Sequence, residues 1–552
     1  MRRAWHTILF LSVWLSAPAA AAEPTWRWDG VARVVVFGDV HGAYHELVPL
    51  LQQTGVIDAS LHWSGGMTHL VSLGDLLDRG PDSRAVMDLL MRLEGEALQA
   101  GGRVHLVLGN HEAMNLTGDL RYVSDAEYAA FADPSTAISA GATTATAADP
   151  ASAPPSPPGY AQHRQAFSAA GRYGAWLLEH PALIVINDTV YVHGGMPASI
   201  AALGLIDGNT RFSAELLEAT TLQTATPGDL LSDAGPLWYR GTARCHVLIE
   251  RDRLRHSLDR LSVRRVVIGH TPTPMLRVQS RFSGDVVMID TGMLAQVYHG
   301  RASALVIEGG SDRVIVSGDS SVTGIVPEAG AYAGEWETVD RLATLLETAP
   351  VSRASKAVGG AKGELELTLT TPDGPLAARF VPLSNQALRN ELAAYRLDRL
   401  LRLGIVAPAV ARAIDGKRGL VTPAGKRWSS ERARHDSAAA RANTCESGSD
   451  YLLMQAFDAL IGNDARSADN LGYEEGIGEL RLRDFGGAFR RGGLRRNADT
   501  EWPRLPSGLR ERLAALDQRS IVDAVGDQLQ ARDIQAVLER RDAIVDSWPT
   551  LE

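Results

Sequence analysis

Residues 33–42 read Arg-Val-Val-Val-Phe-Gly-Asp-Val-His-Gly. A short apolar run bounded by a turn signal is the pattern of a buried strand, and here the polar string begins where the run stops. Glycines beside the polar residues let the backbone turn tightly so that side chains can reach inward. The same grammar recurs. Residues 69–73 (HLVSL) lead into Gly74-Asp-Leu-Leu-Asp-Arg-Gly80, and residues 103–108 (RVHLVL) into Gly109-Asn-His-Glu112. Further runs end at Val192-His-Gly-Gly195 and Ile268-Gly-His-Thr271.

Residues 182–186, 264–268 and 286–289 also read as buried strands, and residues 83–100 carry helical periodicity. Strands alternating with helices predict an α/β layered domain. The carboxyl ends of parallel strands line the usual ligand crevice of such a sheet. Five strand ends bearing Asp, His, Asp, Asn, His and His therefore predict one pocket of oxygen and nitrogen donors, suited to hard or borderline divalent cations. The chain has only two cysteines, Cys245 and Cys445, which excludes a metal site built from cysteine. They fall in different parts of the chain, and two unpaired thiols are expected, with a bridge as the alternative.

In this order, GDVHG, GDLLDRG, GNHE, HGG and GH resemble the calcineurin-like metallophosphoesterases. DRG and HGG are similar to the phosphoprotein phosphatase branch. The strings Leu108-Gly-Asn-His-Glu-Ala-Met-Asn115 and Gly235-Pro-Leu-Trp-Tyr-Arg-Gly241 resemble its Shewanella-like phosphatases. The resemblance covers residues 33–308 and implies a sandwich of two β-sheets flanked by helices, in a domain spanning residues 31–308. It implies that Asp39 and His41 hold one metal ion, that Asp75 bridges two, and that Asn110, His193 and His270 hold the second. The ions could be manganese, iron, zinc or cobalt. A metal-bound hydroxide would be the nucleophile, His111 the general acid oriented by Asp78, and Arg79 and Arg240 the phosphate clamp, with Asn110 beside them. The histidines at 45, 62, 69, 105, 163 and 299 match no motif and are expected in surface or core roles.

Residues 133–159 (DPSTAISAGATTATAADPASAPPSPPG) hold nothing large enough for a core and read as a flexible surface insertion. Recurring glycine and serine at residues 309–335 predict a linker, followed by a second, α+β domain over 336–552. It opens with two strand-like runs in 363–382 around a Pro-Asp-Gly turn, and continues with helical patterns at 386–403, 450–461 and 533–545. The string at 390–401, Gly462-Asn463 and Asp484-Phe-Gly486 resemble the distant protein- and lipid-kinase-like folds; an unassigned domain is the alternative. The resemblance makes Glu391 the helix glutamate, Arg466 the loop arginine, and Asn470 and Asp484 the metal ligands. The chain departs from that pattern at two points. Ala465 fills the catalytic aspartate position, with Asp464 one residue early, and Arg379 is the only basic residue where the phosphate-binding lysine belongs. Phosphoryl transfer needs both missing groups. A binding or regulatory module is expected.

The N-terminal string MRRAWHTILFLSVWLSAPAAAAEP has arginines, a short apolar run and small residues, the pattern of a secretory leader over residues 1–22. The mature protein is expected to be exported, periplasmic or secreted, with no membrane attachment after cleavage. A net charge of −10 argues against nucleic acid as a partner. The basic string Phe489-Arg-Arg-Gly-Gly-Leu-Arg-Arg496 reads as a solvated loop. The reading is thus a dinuclear-metal phosphatase acting on phosphotyrosine or phosphoserine/threonine in proteins. Nucleotides, dinucleoside polyphosphates and other small organic phosphates are the alternative substrates, and a non-hydrolytic signalling protein is the alternative class.

Overall fold

The computed structural model describes residues 26–132, 156–223, 228–330, 332–357, 362–424, 428–435, 445, 449–474, 479–494 and 501–551. The expected leader, residues 1–22, and residues 133–155 of the expected insertion lie outside these. The N-terminal half is a sandwich. Its five-stranded sheet runs Ser311–Val316, Ser303–Glu308, Arg33–Phe37, His69–Ser72, Arg103–Leu106. Its seven-stranded sheet runs Arg27–Trp28, Leu183–Ile186, Thr189–Val192, Arg265–Ile268, Val286–Met288, Gln279–Arg281, Val326–Pro327.

Side chains of a strand alternate between faces, so each apolar run divides between two cores. Val34, Val36, Val71, Val267, Val287 and Leu305 fill the space between the sheets. Their neighbours Val35, Phe37, Leu70, Val266, Val286 and Val306 face outward into a second cluster, shared with helices such as Ser83–Gln99 through Val86, Leu90 and Leu93. Continuous apolar runs, rather than alternating ones, follow from a sheet covered on both faces.

Residues 309–335 are not a linker. Ser303–Glu308 and Ser311–Val316 form an antiparallel hairpin whose register pairs Glu308 with Ser311. Its two-residue loop, Gly309-Gly310, has φ of 58° and 77°, the positive values that a type I′ turn requires and that glycine meets without strain. Val326–Pro327 then adds to the seven-stranded sheet beside Gln279–Arg281. The glycine pair marks a hairpin turn, and the sandwich also takes in Arg27–Trp28 ahead of residue 31.

The C-terminal half begins with an antiparallel five-stranded sheet in the order Val351–Lys356, Leu365–Thr371, Gly374–Pro382, Lys417–Pro423, Val410–Ile414. Helix Glu337–Thr348 covers it through Leu346, against Leu369, Phe380 and Val421. Helices Asn385–Leu401, Ser449–Ile461 and Ala531–Ser547 follow. Their buried residues, including Leu397, Phe457 and Val537, join the same hydrophobic cluster as Val35 and Phe37. No helix among the described residues is long and apolar enough to cross a membrane.

The expectation of two free thiols is corrected: Cys245 and Cys445 form a disulfide, with Cα atoms 4.7 Å apart. The seam between the halves brings them together. His246 Nε2 donates to Leu403 O at 2.5 Å. Tyr332 OH donates to Asp450 at 2.9 Å and accepts from Leu480 N at 2.8 Å. Burial raises the Asp450 carboxyl to about 7, against the opposing pull of its Tyr332 hydrogen bond. A carboxyl raised on folding favours the folded state while protonated, so this contribution is present below about pH 4 and lost as pH rises toward 7. Replacing Asp450 with Asn is expected to flatten the fall in melting temperature between pH 4 and pH 7, checked by thermal melts of both proteins across that range.

Candidate metal centre

Strands Arg33–Phe37, His69–Ser72 and Arg103–Leu106 run parallel in one sheet, and Thr189–Val192, Arg265–Ile268 and Val286–Met288 run parallel in the other. Asp39, Asp75, Asn110 with His111, His193 and His270 follow the first five of these in chain order, and all are buried. A sixth strand end adds Asp290, which the motif reading passed over. It is 3% exposed, shares a side-chain hydrogen bond with Asp39, and accepts from Gly292 N at 3.0 Å. Its signal was the same grammar, an apolar run ending in Asp290-Thr-Gly292.

The loops that deliver these groups are tightly wound. His41, Asp75, Asp78, Arg79 and His270 all have positive φ, between 49° and 69°, a region costly for residues with a Cβ. Such strain persists where the surroundings over-determine the backbone, and Glu112 is one reason they do here. Its carboxylate is fully buried and accepts from Gly109 N, Asp75 N and Leu76 N, each at 2.8 Å, binding the loop after His69–Ser72 to the start of helix Asn110–Thr117. Space is equally constrained: a Cβ at Gly269 would stand 2.5 Å from Asp39 Oδ1.

Asp75 stands at the centre. Its Oδ2 is 3.8 Å from both His41 Nε2 and His111 Nε2, and its Oδ1 is 3.3 Å from His193 Nε2. His193 Nε2 lies 3.0 Å from Asn110 Oδ1 and 3.1 Å from His270 Nδ1. Two groups thus converge, His41–Asp75–His111 and Asp75–His193–His270, with Asp75 common to both. Asp39 approaches His41 Nε2 at 4.0 Å, but its carboxylate is taken up by His270 N at 2.9 Å. That bond ties the two sheets across the site.

Ring orientation decides which nitrogens can hold a cation. His41 Nδ1 donates to Leu77 O at 2.9 Å and His193 Nδ1 to Leu73 O at 2.7 Å, so in both rings the Nε2 lone pair faces inward. His111 differs. Its Nδ1 is 2.6 Å from Asp78 Oδ2, while Asn115 Nδ2 holds the other Asp78 oxygen at 2.9 Å. Arg79 reaches His41 and His111 at 3.3 Å and 3.2 Å, and its guanidinium lies 5.2 Å from the Tyr122 ring and 5.4 Å from the Tyr298 ring. Arg240 donates to Thr271 Oγ1 at 2.9 Å and His270 O at 3.2 Å.

The electrostatics call for positive charge. Burial and the neighbouring Asp290 raise the Asp39 carboxyl well above its ordinary range, and burial with Asp75 raises Glu112 to about 7. Burial opposes charge on His193, yet Asp75 outweighs it and lifts that imidazole to about 9. Several buried carboxylates in one cavity, beside imidazole nitrogens and an amide oxygen, form a donor set suited to a divalent cation.

Residues 32–274 match the calcineurin-like phosphoesterase family. They are a calcineurin-like metallophosphoesterase domain. The chain is 26% identical over 271 residues to Shewanella-like protein phosphatase 1 of Plasmodium berghei, covering 48% of this chain and 68% of that one. Over 98 residues it is 41% identical to Shewanella-like protein phosphatase 2 of Arabidopsis thaliana, covering 18% and 25%. A solved cold-active protein-tyrosine phosphatase of a psychrophilic Shewanella species is 27% identical, covering 55% of this chain and 82% of that one, with a TM-score of 0.43. The chain carries a metal-dependent phosphoesterase of the phosphoprotein phosphatase kind, and its family uses a dinuclear centre of divalent cations. The metallophosphoesterase domain fits that centre, since its two donor groups share one carboxylate.

Among the kinase-like positions, Asn470 turns into its own loop, accepting from Ser467 N at 2.8 Å and donating to Ala465 O at 2.9 Å. Arg466 pairs with Asp458, and Arg379 with Glu364. Burial and Asp484 raise Glu391 to about 7.

Proposed function

We propose that this chain is an exported phosphatase of phosphotyrosyl proteins, with phosphoseryl and phosphothreonyl residues as its second protein substrate class. The observation that carries the hydrolytic reading is Asp75, common to two converging donor groups. Asp39, His41 and Asp75 hold one cation in this reading, and Asp75, Asn110, His193 and His270 hold the other. Cations held there would supply Lewis-acid polarisation of phosphoryl oxygens and a water of lowered pKa as the nucleophile.

The chain's own groups do the rest. His111, held through Nδ1 by Asp78, presents Nε2 toward the site and gives its proton to the leaving oxygen. Arg79 and Arg240 grip phosphate oxygens, with Asn110 beside them, because a planar guanidinium makes paired bonds to phosphate. Tyr122, Tyr298 and Trp238 stand around these groups, Trp238 edge-on to His270 with ring centres 5.7 Å apart. An aromatic rim of this kind suits an aryl leaving group. Comparing phosphotyrosyl peptides, phosphoseryl peptides and dinucleoside polyphosphates on the purified mature chain tests the choice. Preference for the dinucleoside polyphosphates would replace it.

Tyr298 supports the clamp from one side. Exchanging it for Leu removes one cation–π contact, worth about 1 kcal/mol, and is expected to raise KM for a phosphotyrosyl peptide several-fold at similar kcat. Steady-state kinetics beside Tyr298→Phe, which keeps the ring, check this.

Export is supported by the leader pattern and by the disulfide, which persists in oxidising compartments. The C-terminal half is a kinase-like module that binds rather than phosphorylates: Ala465 lacks a base, and Arg379 is committed to Glu364. Incubation of the pure chain with labelled ATP and a general acceptor protein, leaving the acceptor unlabelled, is the expected result.

A further inference from the structure

The basic string at residues 489–496 reads as a solvated loop in sequence, but its first arginines are part of a built cavity. The start of helix Ala531–Ser547, the turn before it, helix Asn385–Leu401 and the segment Phe489-Arg490-Arg491 enclose about 380 Å³, lined by Arg389, Arg490, Arg491 and Arg532. Four guanidiniums around one small concavity stand out in a chain of net charge −10.

Their charge is only partly spent. Arg490 pairs with Asp464, and Arg389 donates to Gln386 Oε1 at 2.6 Å. Arg491 and Arg532 have no carboxylate within ion-pair distance among the described residues. The acidic lining, Asp527 and Asp533, bonds to its own turn rather than to the arginines. Asp533 caps its helix by accepting from Gln530 N at 3.2 Å, and Asp527 accepts from the Gln528 amide at 2.5 Å. The N-terminal end of a 17-residue helix adds its own positive potential.

Unpaired, crowded guanidiniums repel one another unless an anion joins them, and phosphate oxygens match their planar donors best. The cavity is concave and has acidic groups in its wall, which disfavours a flat membrane or an extended polyanion. We propose that this cavity is a second phosphate site, taking a compact soluble phosphorylated ligand, a phosphate monoester or a diphosphate, apart from the metal centre. None of the residues assigned to the metal centre lines it, so the proposal stands whether or not the assigned substrate class is right.

Calorimetric titration of the full chain with inorganic pyrophosphate tests this, after chelator treatment so that the metal centre neither turns over nor grips the probe. Saturable binding at one site per chain is expected, weakened about tenfold or more in the Arg491→Ala/Arg532→Ala double variant and also reduced in Arg389→Ala. Acetate is expected not to bind, and in metal-loaded protein the double variant is expected to keep wild-type kcat and KM on an aryl phosphate. Both altered residues of the double variant are exposed, so its melting temperature should match the parent's. Vesicles containing phosphatidic acid provide the arm for a lipid headgroup, and no co-sedimentation is expected. Pyrophosphate affinity unchanged in the double variant overturns the proposal. So does vesicle binding that the double variant abolishes while pyrophosphate fails to bind.

Discussion

Replacing Asp75 with Asn is expected to abolish hydrolysis of an aryl phosphate, with a loss of about 10³-fold or more in kcat/KM. Asp75 Oδ1 lies 3.3 Å from His193 Nε2, and Oδ2 lies 3.8 Å from His41 Nε2 and from His111 Nε2, so one carboxylate serves both donor groups. Asparagine keeps one oxygen but turns the other into an amide nitrogen with no lone pair for a cation. It also removes the negative charge that lets a cation reside there. Charge stabilisation of several kcal/mol in a metal-assisted displacement corresponds to that loss. The fold is expected to survive, because the retained oxygen can still accept from His111 N, a bond of 3.0 Å in the parent. Parallel assays with manganese and circular dichroism separate lost chemistry from lost structure. Unchanged turnover in a folded variant would exclude the shared-carboxylate site.

The second large effect is expected on stability. Changing Cys245 and Cys445 together to Ser opens a loop closed across a sequence separation of 200. The chain entropy released to the unfolded state by a loop of that length corresponds to about 5 kcal/mol as an upper bound. The bridge also anchors the end of segment 240–245, where Arg240 holds the loop after His270, to the C-terminal half. The serine variant is therefore expected to unfold at markedly lower urea concentration than the parent, and the parent in reductant to behave like the variant. Coincident urea midpoints for parent and variant would show that the shared hydrophobic core and the contacts at His246 and Tyr332 hold the seam unaided.

Strand-end grammar makes much of the candidate site legible in sequence, since a polar residue that follows its strand by one to four residues travels with a local signal. Asp39, Asp75, Asn110, His193 and His270 are of this kind. Asp290 has the same signal but matches no motif of the resemblance, and so escapes notice. Glu112 is visible within GNHE, yet two of its three backbone partners, Asp75 N and Leu76 N, lie in a loop more than thirty residues away, and only the folded chain shows what it does. Tyr122 and Tyr298, widely separated in sequence, both flank Arg79, a pairing without sequence pattern. The hairpin at Gly309-Gly310 misleads for a different reason: glycine marks both linkers and tight turns, and only strand pairing distinguishes them. The disulfide depends on a seam formed by both halves, which the periodicity of either half alone does not reveal.

The most direct test of the central claim is to strip the purified protein with chelator and titrate it with manganese, following bound metal and aryl phosphate hydrolysis together. Activity is expected to be absent from the stripped protein and to reach its plateau when two equivalents of metal are bound. Full hydrolysis by the stripped protein in the presence of chelator, or a plateau with a single equivalent bound, would contradict a dinuclear centre built around Asp75.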